Sequence, residues 1–132
     1  GKIAYKIYKD DLENKFSSQK LYLIESGSYP SYESMKEDNI NNNYLYYVDG
    51  DKYKSIVGIT KKYDNIDKIK KMYDDDLLVQ EYYISEDIIL DKQDEYDEML
   101  LITKDTTEEW DILNNIINLY KENSDLKLIE IK

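Results

Sequence analysis

The chain has 132 residues, 29 of them acidic and 18 basic, a net charge of −11, and neither Cys nor His. Such an acidic balance excludes a binder of nucleic-acid backbones, which needs a basic stripe to release counterions. The missing Cys and His exclude disulfides, thiol nucleophiles, Cys/His zinc sites and Ser-His-Asp catalysis.

Residues 3–8, IAYKIY, alternate weakly and fit a strand, and the polar residues 9–19 fit a linker or a short helical turn. Leu21–Ser26 is the first strong strand, ending at Gly27, Ser28, Tyr29 and Pro30. Ser31 is placed to cap a short helix, SYESMKEDNINN, with Tyr32, Met35 and Ile40 as a thin apolar face. Tyr44–Val48 has the aromatic and β-branched content of a strand. Asp49-Gly50-Asp51 is a hairpin signal. Residues 52–60 return as a third strand, with Tyr53, Ser55 and Val57 on one face and Lys54 and Ile56 on the other. Residues 63–75 carry Ile66, Ile69 and Tyr73 at helical spacing, with Asp64 or Asn65 as the cap. Residues 77–84 form a fourth strand. Two more helices are expected over 91–103 and 106–122. The second has a stripe of Trp110, Leu113, Ile117 and Tyr120, and Thr106 or Thr107 with Glu109 as its capping pattern. The closing DLKLIEIK alternates and fits an edge strand paired with the N-terminal segment.

The order strand, helix, strand, strand, helix, strand is a split βαβ pattern. It predicts an α+β fold: a four-stranded antiparallel sheet with two helices on one face, plus a C-terminal helical appendage. Residues 1–19 are then an N-terminal extension, 20–86 the core domain, and 87–132 a helical hairpin and terminal strand packed on it. The second sheet face is open, or is covered by that hairpin.

Two strand ends match in form. Ile24-Glu25-Ser26-Gly27-Ser28-Tyr29 closes the first strand, and Tyr53-Lys54-Ser55-Ile56-Val57-Gly58-Ile59-Thr60 forms the third. With their flanking helices they resemble a SPOR domain over residues 20–85. Glu25 stands where that family usually has Gln, Lys54 stands in the Arg place, and Ile59 and Thr60 replace Pro and Phe. The resemblance implies a ferredoxin-like fold that binds peptidoglycan glycan strands stripped of their stem peptides. It also implies a role in bringing a membrane-anchored protein to the division septum or a sporulation site. The glycan-binding residues would be Glu25, Ser28, Tyr47, Lys54 and Ile56. A flat sheet with aromatic faces and a few hydrogen-bonding groups suits the alternating edges and faces of sugar rings. A carboxylate on a solvated sheet face, paired across the strands with Lys54, explains Glu25 equally well.

No carboxylate pair stands out for glycoside hydrolysis, and Asp74–Asp76 lack EF-hand spacing. The expectation is therefore a domain that is not an enzyme, without metal or cofactor. It would lie on the wall side of the membrane in a Gram-positive anaerobe, held by an upstream anchor outside this chain. Its partners would be glycan strands, with division or sporulation proteins beside them. If the late helices cover the sheet face, the alternative is a protein–protein interaction module that has lost glycan binding. A small-ligand sensor ranks third, because no cradle for a phosphate or amino acid is visible in the sequence.

Overall fold

The computed structural model describes residues 6–7, 19–73, 77–84, 87–123 and 127–130. In chain order the elements are β1 (Lys6–Ile7), β2 (Gln19–Tyr29), α1 (Tyr32–Asp38), β3 (Leu45–Asp49) and β4 (Lys52–Thr60). They continue as α2 (Tyr63–Tyr73), β5 (Leu78–Ile84), α3 (Asp87–Ile102), α4 (Thr106–Lys121) and β6 (Lys127–Glu130). The weak N-terminal strand is described only at Lys6–Ile7. Of the expected linker only Gln19 is described, and it opens β2. Asp74–Asp76 lie outside the described residues.

The strands lie in the order β1-β6-β5-β2-β4-β3. The four central ones are antiparallel throughout: β2 pairs with both β4 and β5, and β3 with β4. The terminal strands meet as expected, Lys6 opposite Lys127 and Ile7 opposite Leu128, in a parallel pair. β6 also pairs with β5 through Tyr82–Glu130 and Tyr83–Ile129, so β1, not β6, is the outermost strand.

β2 runs well past Ser26 because two register shifts against β4 occur together, between Ile24 and Glu25 and between Glu25 and Gly27. A bulge on each strand cancels the other, so the strand bends without losing its partner. Gly27 is small for a local reason: a Cβ there would come within 2.5 Å of the Tyr29 hydroxyl, whose ring folds back over it.

Ser31 caps α1 as expected, its hydroxyl accepting from the Ser34 backbone N–H at 3.1 Å. The helix stops at Asp38, however, and Ile40 is 78% exposed rather than part of the apolar face. α2 begins at Tyr63, so Asp64 and Asn65 lie in its first turn and neither is the residue before it. α3 begins four residues earlier than expected. The cap of α4 is Asp105, not a threonine, its carboxylate accepting from the Glu108 N–H at 3.0 Å.

Both sheet faces are covered. On one, Tyr22 meets Tyr63 of α2 edge-on at 6.1 Å, and Tyr46 and Tyr53 surround Tyr32 of α1. Gly58 lets α2 approach this face, since a Cβ there would lie 2.9 Å from Cγ2 of Ile69. On the other face, Leu21, Leu23, Leu45, Tyr47, Ile56 and Ile59 share one continuous core with Ile112, Leu113, Ile116, Ile117 and Tyr120 of α4. α4 packs on β4 and β3 and pairs with α3.

Helices α2 and α3 also seal an edge. β3 pairs with β4 only from Lys52 to Ile56, leaving Val57–Thr60 without a strand partner on that side among the described residues. Side chains take the partner's place. The Tyr73 hydroxyl donates to Val57 O at 3.0 Å, and Gln93 Nε2 donates to Ile59 O at 3.1 Å. The Lys61 N–H donates to Asp97 Oδ2 at 2.9 Å. Alternate residues 57, 59 and 61 present these groups, as the period of a strand requires. Among the described residues, no helix is long and apolar enough to cross a membrane.

Candidate functional site

The register brings the five sequence-predicted residues onto one sheet face, in two rows. Glu25 lies opposite Ile56, and Ile56 opposite Leu45. Ser28 lies opposite Lys54, and Lys54 opposite Tyr47. Glu25 and Lys54 are therefore not cross-strand neighbours, and the expected ion pair between them is replaced by another arrangement. Tyr47 donates its hydroxyl to Glu25 Oε2 at 2.7 Å and packs edge-on against Tyr82 at 5.7 Å between centroids. Burial, reinforced by hydrogen bonds to Tyr82 and Glu25, pushes the Tyr47 phenol well above its usual range.

Access does not follow the rows. Glu25, Tyr47 and Ile56 are 1%, 2% and 0% exposed, whereas Ser28 is exposed and Lys54 half-buried. The first three belong to the interior under the helical pair, so no ring of a glycan reaches them while that pair is docked. Tyr47 is a core residue with a polar tip, which fits its hydrogen bond to a carboxylate that is itself buried.

A second polar cluster was not singled out from sequence. Asp97 of α3 is buried and accepts from Thr60 Oγ1 at 2.7 Å, Gln93 Nε2 at 3.1 Å and the Lys61 N–H. Asn65 donates to Asp97 O at 3.1 Å, and Tyr120 donates to Gln93 Oε1 at 2.8 Å. Burial raises the Asp97 carboxyl above the ordinary carboxylate value, and the three donors pull the other way. The cluster ties β4, α2, α3 and α4 together. Its signal in the sequence is Leu90, Gln93, Asp97 and Leu100, a core-type stripe whose middle two members are polar.

Of the grooves that open between described residues, three stand out, and none of these is lined by a predicted site residue. One of about 350 Å³ lies between α2 and the sheet, walled by Tyr22 and Tyr63 with Asp67, Lys70 and Glu81. One of about 340 Å³ lies between α2 and α4, beside Lys71 and Trp110. The third, of about 300 Å³, lies where the turn after α1 meets the end of α4, and is lined by Tyr32, Lys36, Ile40, Asn42, Tyr44 and Lys121 with Asn39. Among the described residues no group of three or more acidic side chains is arranged to hold a metal ion.

No family model, curated protein or solved structure matches the chain.

Proposed function

We propose that the chain is a non-catalytic protein-interaction module, built on a ferredoxin-like core whose second sheet face is filled by its own C-terminal helices. The order β5-β2-β4-β3, with α1 and α2 on one face, supports the ferredoxin-like reading of the core. The burial of Glu25, Tyr47 and Ile56 carries the functional reading. A sheet face that shares its core with α4 offers nothing for sugar rings to stack on. What the surface does offer is acidity, with a net charge of −11, and a cluster of exposed apolar side chains at the end of α3. Met99, Leu101 and Ile102 are exposed there, one turn beyond the exposed Glu95 and Glu98. Such a surface suits a partner with basic residues around an apolar anchor.

A second reading keeps the SPOR resemblance whole: glycan binding on the wall side of the membrane, for a parent protein sent to septum or forespore. One observation favours it, the accessibility of Ser28 and Lys54 at the open end of the predicted face. Co-sedimentation with purified peptidoglycan, intact and stripped of its stem peptides, separates the two. The interaction module stays in the supernatant with both. Pelleting with the stripped form, lost in Lys54→Ala, would establish the glycan reading instead. The partner surface is tested by photo-crosslinking from position 102 in cells. Adducts should vanish when Glu95 and Glu98 are changed to Lys.

A further inference from the structure

The third groove departs from the charge of the rest of the molecule. Acidic residues outnumber basic ones 29 to 18 in the chain, yet this groove is lined by Lys36 and Lys121 and by no carboxylate. Neither lysine forms an ion pair with a described acidic residue. The Lys121 ammonium is held by a neutral amide, donating to Asn43 Oδ1. Asn43 in turn donates to Asn118 Oδ1 at 3.1 Å, so α4 is fastened to the turn before β3. Partial burial lowers the Lys121 pKa, the mark of a cation that has lost water without gaining a counter-ion.

Part of the wall is aromatic or aliphatic, and much of the lining is held in place. Tyr32 is held by Tyr46 and Tyr53 at 5.6 and 6.4 Å between centroids. Asn39, at the base, is fully buried and donates to Met35 O at 2.9 Å while accepting from Ser26 and Asn42. Ile40, the large apolar side chain displaced from the face of α1, stands exposed at the rim. A lysine in the last turn of a helix offsets the negative end of that helix, and this explains Lys121 on α4 and Lys36 on α1 taken singly. It does not explain why both line one groove with two phenol rings and an exposed Ile. The volume is at the lower end of those that small-molecule sites occupy.

We propose that this groove is a binding site for a small organic monocarboxylate with a flat apolar body, the carboxylate taken by Lys121 and Lys36 and the body lying against Tyr32, Tyr44 and Ile40. The site exists only where the core meets the helical appendage, from residues some eighty positions apart in the chain (Asn43 and Lys121 are 78 apart). No local motif encodes it, which is why no cradle is visible in the sequence. It goes beyond the interaction reading and does not rest on it.

The test is a titration of the isotope-labelled full chain with 3-phenylpropionate, with its amide as the neutral control and inorganic phosphate as the bare anion. The acid should give saturable shifts confined to the amides of residues 36–44 and 118–122. The amide should bind at least about tenfold more weakly, the loss expected when a charge-assisted hydrogen bond is removed. Lys121→Gln should narrow the difference between acid and amide and the double change Lys36→Gln/Lys121→Gln should abolish it, and Ile40→Glu should weaken the acid, with the spectrum unchanged elsewhere as evidence that the fold is intact. Equal binding of acid and amide, shifts spread over all surface lysines, phosphate as effective as the acid, or no saturable shift would each overturn the proposal.

Discussion

Tyr47 and Glu25 sit too deep to replace each other with water. Removing the phenol hydroxyl therefore leaves Glu25 Oε2 short of a 2.7 Å donor inside the core. Tyr47→Phe should lower the unfolding free energy by about 1–3 kcal/mol, the range for taking one donor from a buried polar group. Urea unfolding with an unchanged slope would check it; a neutral result would mean that other groups hold the carboxylate without Tyr47. Gly58 is a second site where one atom decides. Its missing Cβ leaves room for Ile69 Cγ2, 2.9 Å from where that atom would stand, and Ile24 closes the other side at 3.4 Å. Gly58→Ala should destabilise by about 1–3 kcal/mol through overpacking. If it stabilises instead, α2 is free to shift and the close approach is not required.

Between elements, the weight falls on the seam where α3 meets β4. Asp97 replaces the missing strand for Lys61 and also holds Thr60 and Gln93. Its pKa is raised in the folded state, chiefly by burial, so the native form binds this proton more tightly than the unfolded chain does. The stability linked to Asp97 is then complete below about pH 4, the ordinary carboxylate value, and is lost as pH rises through the folded-state pKa. Carboxyl NMR should show Asp97 titrating above the ordinary value, and Asp97→Asn should flatten the fall in unfolding free energy on the alkaline side of about pH 4. An unchanged slope would assign it to other groups. This seam marks the limit of what the sequence discloses. The hairpin at Asp49–Asp51 and the helix over 63–73 are legible because their signals are local. The grouping of Glu25, Tyr47, Lys54 and Ile56 on one face is legible from period-2 counting and the hairpin, whereas Ser28, three residues from Glu25, joins them only because the bulge between Glu25 and Gly27 shifts the alternation by one. Gln93 and Asp97 interrupt an apolar stripe, which hints at buried polar groups, but Thr60 lies 37 residues from Asp97 and nothing near either names the other. The paired bulges around Glu25 are equally hidden, since Gly27 alone fits a strand end as well as a bulge.

At the scale of the whole molecule, the question is whether residues 20–86 are a domain at all. Counting elements makes them one, with the late helices as an addition. The packing argues otherwise. Leu21, Leu23, Leu45, Tyr47, Ile56 and Ile59 are buried in the same core as the apolar stripe of α4, and the free edge of β4 is closed by Gln93 and Asp97 of α3. Exposing about four such side chains, at roughly 1.5–3 kcal/mol each, removes most of a typical domain stability of about 5–15 kcal/mol. The unsealed edge would add unpaired backbone groups open to other chains. A chain limited to residues 20–86 should therefore give a collapsed amide spectrum, bind hydrophobic dye and self-associate, while the full 132 residues fold cooperatively. The reverse outcome is equally informative. If 20–86 gives a dispersed spectrum and sediments with stripped glycan, the helical pair is a removable cover over a working sheet face. The interaction-module reading would then give way to regulated wall binding.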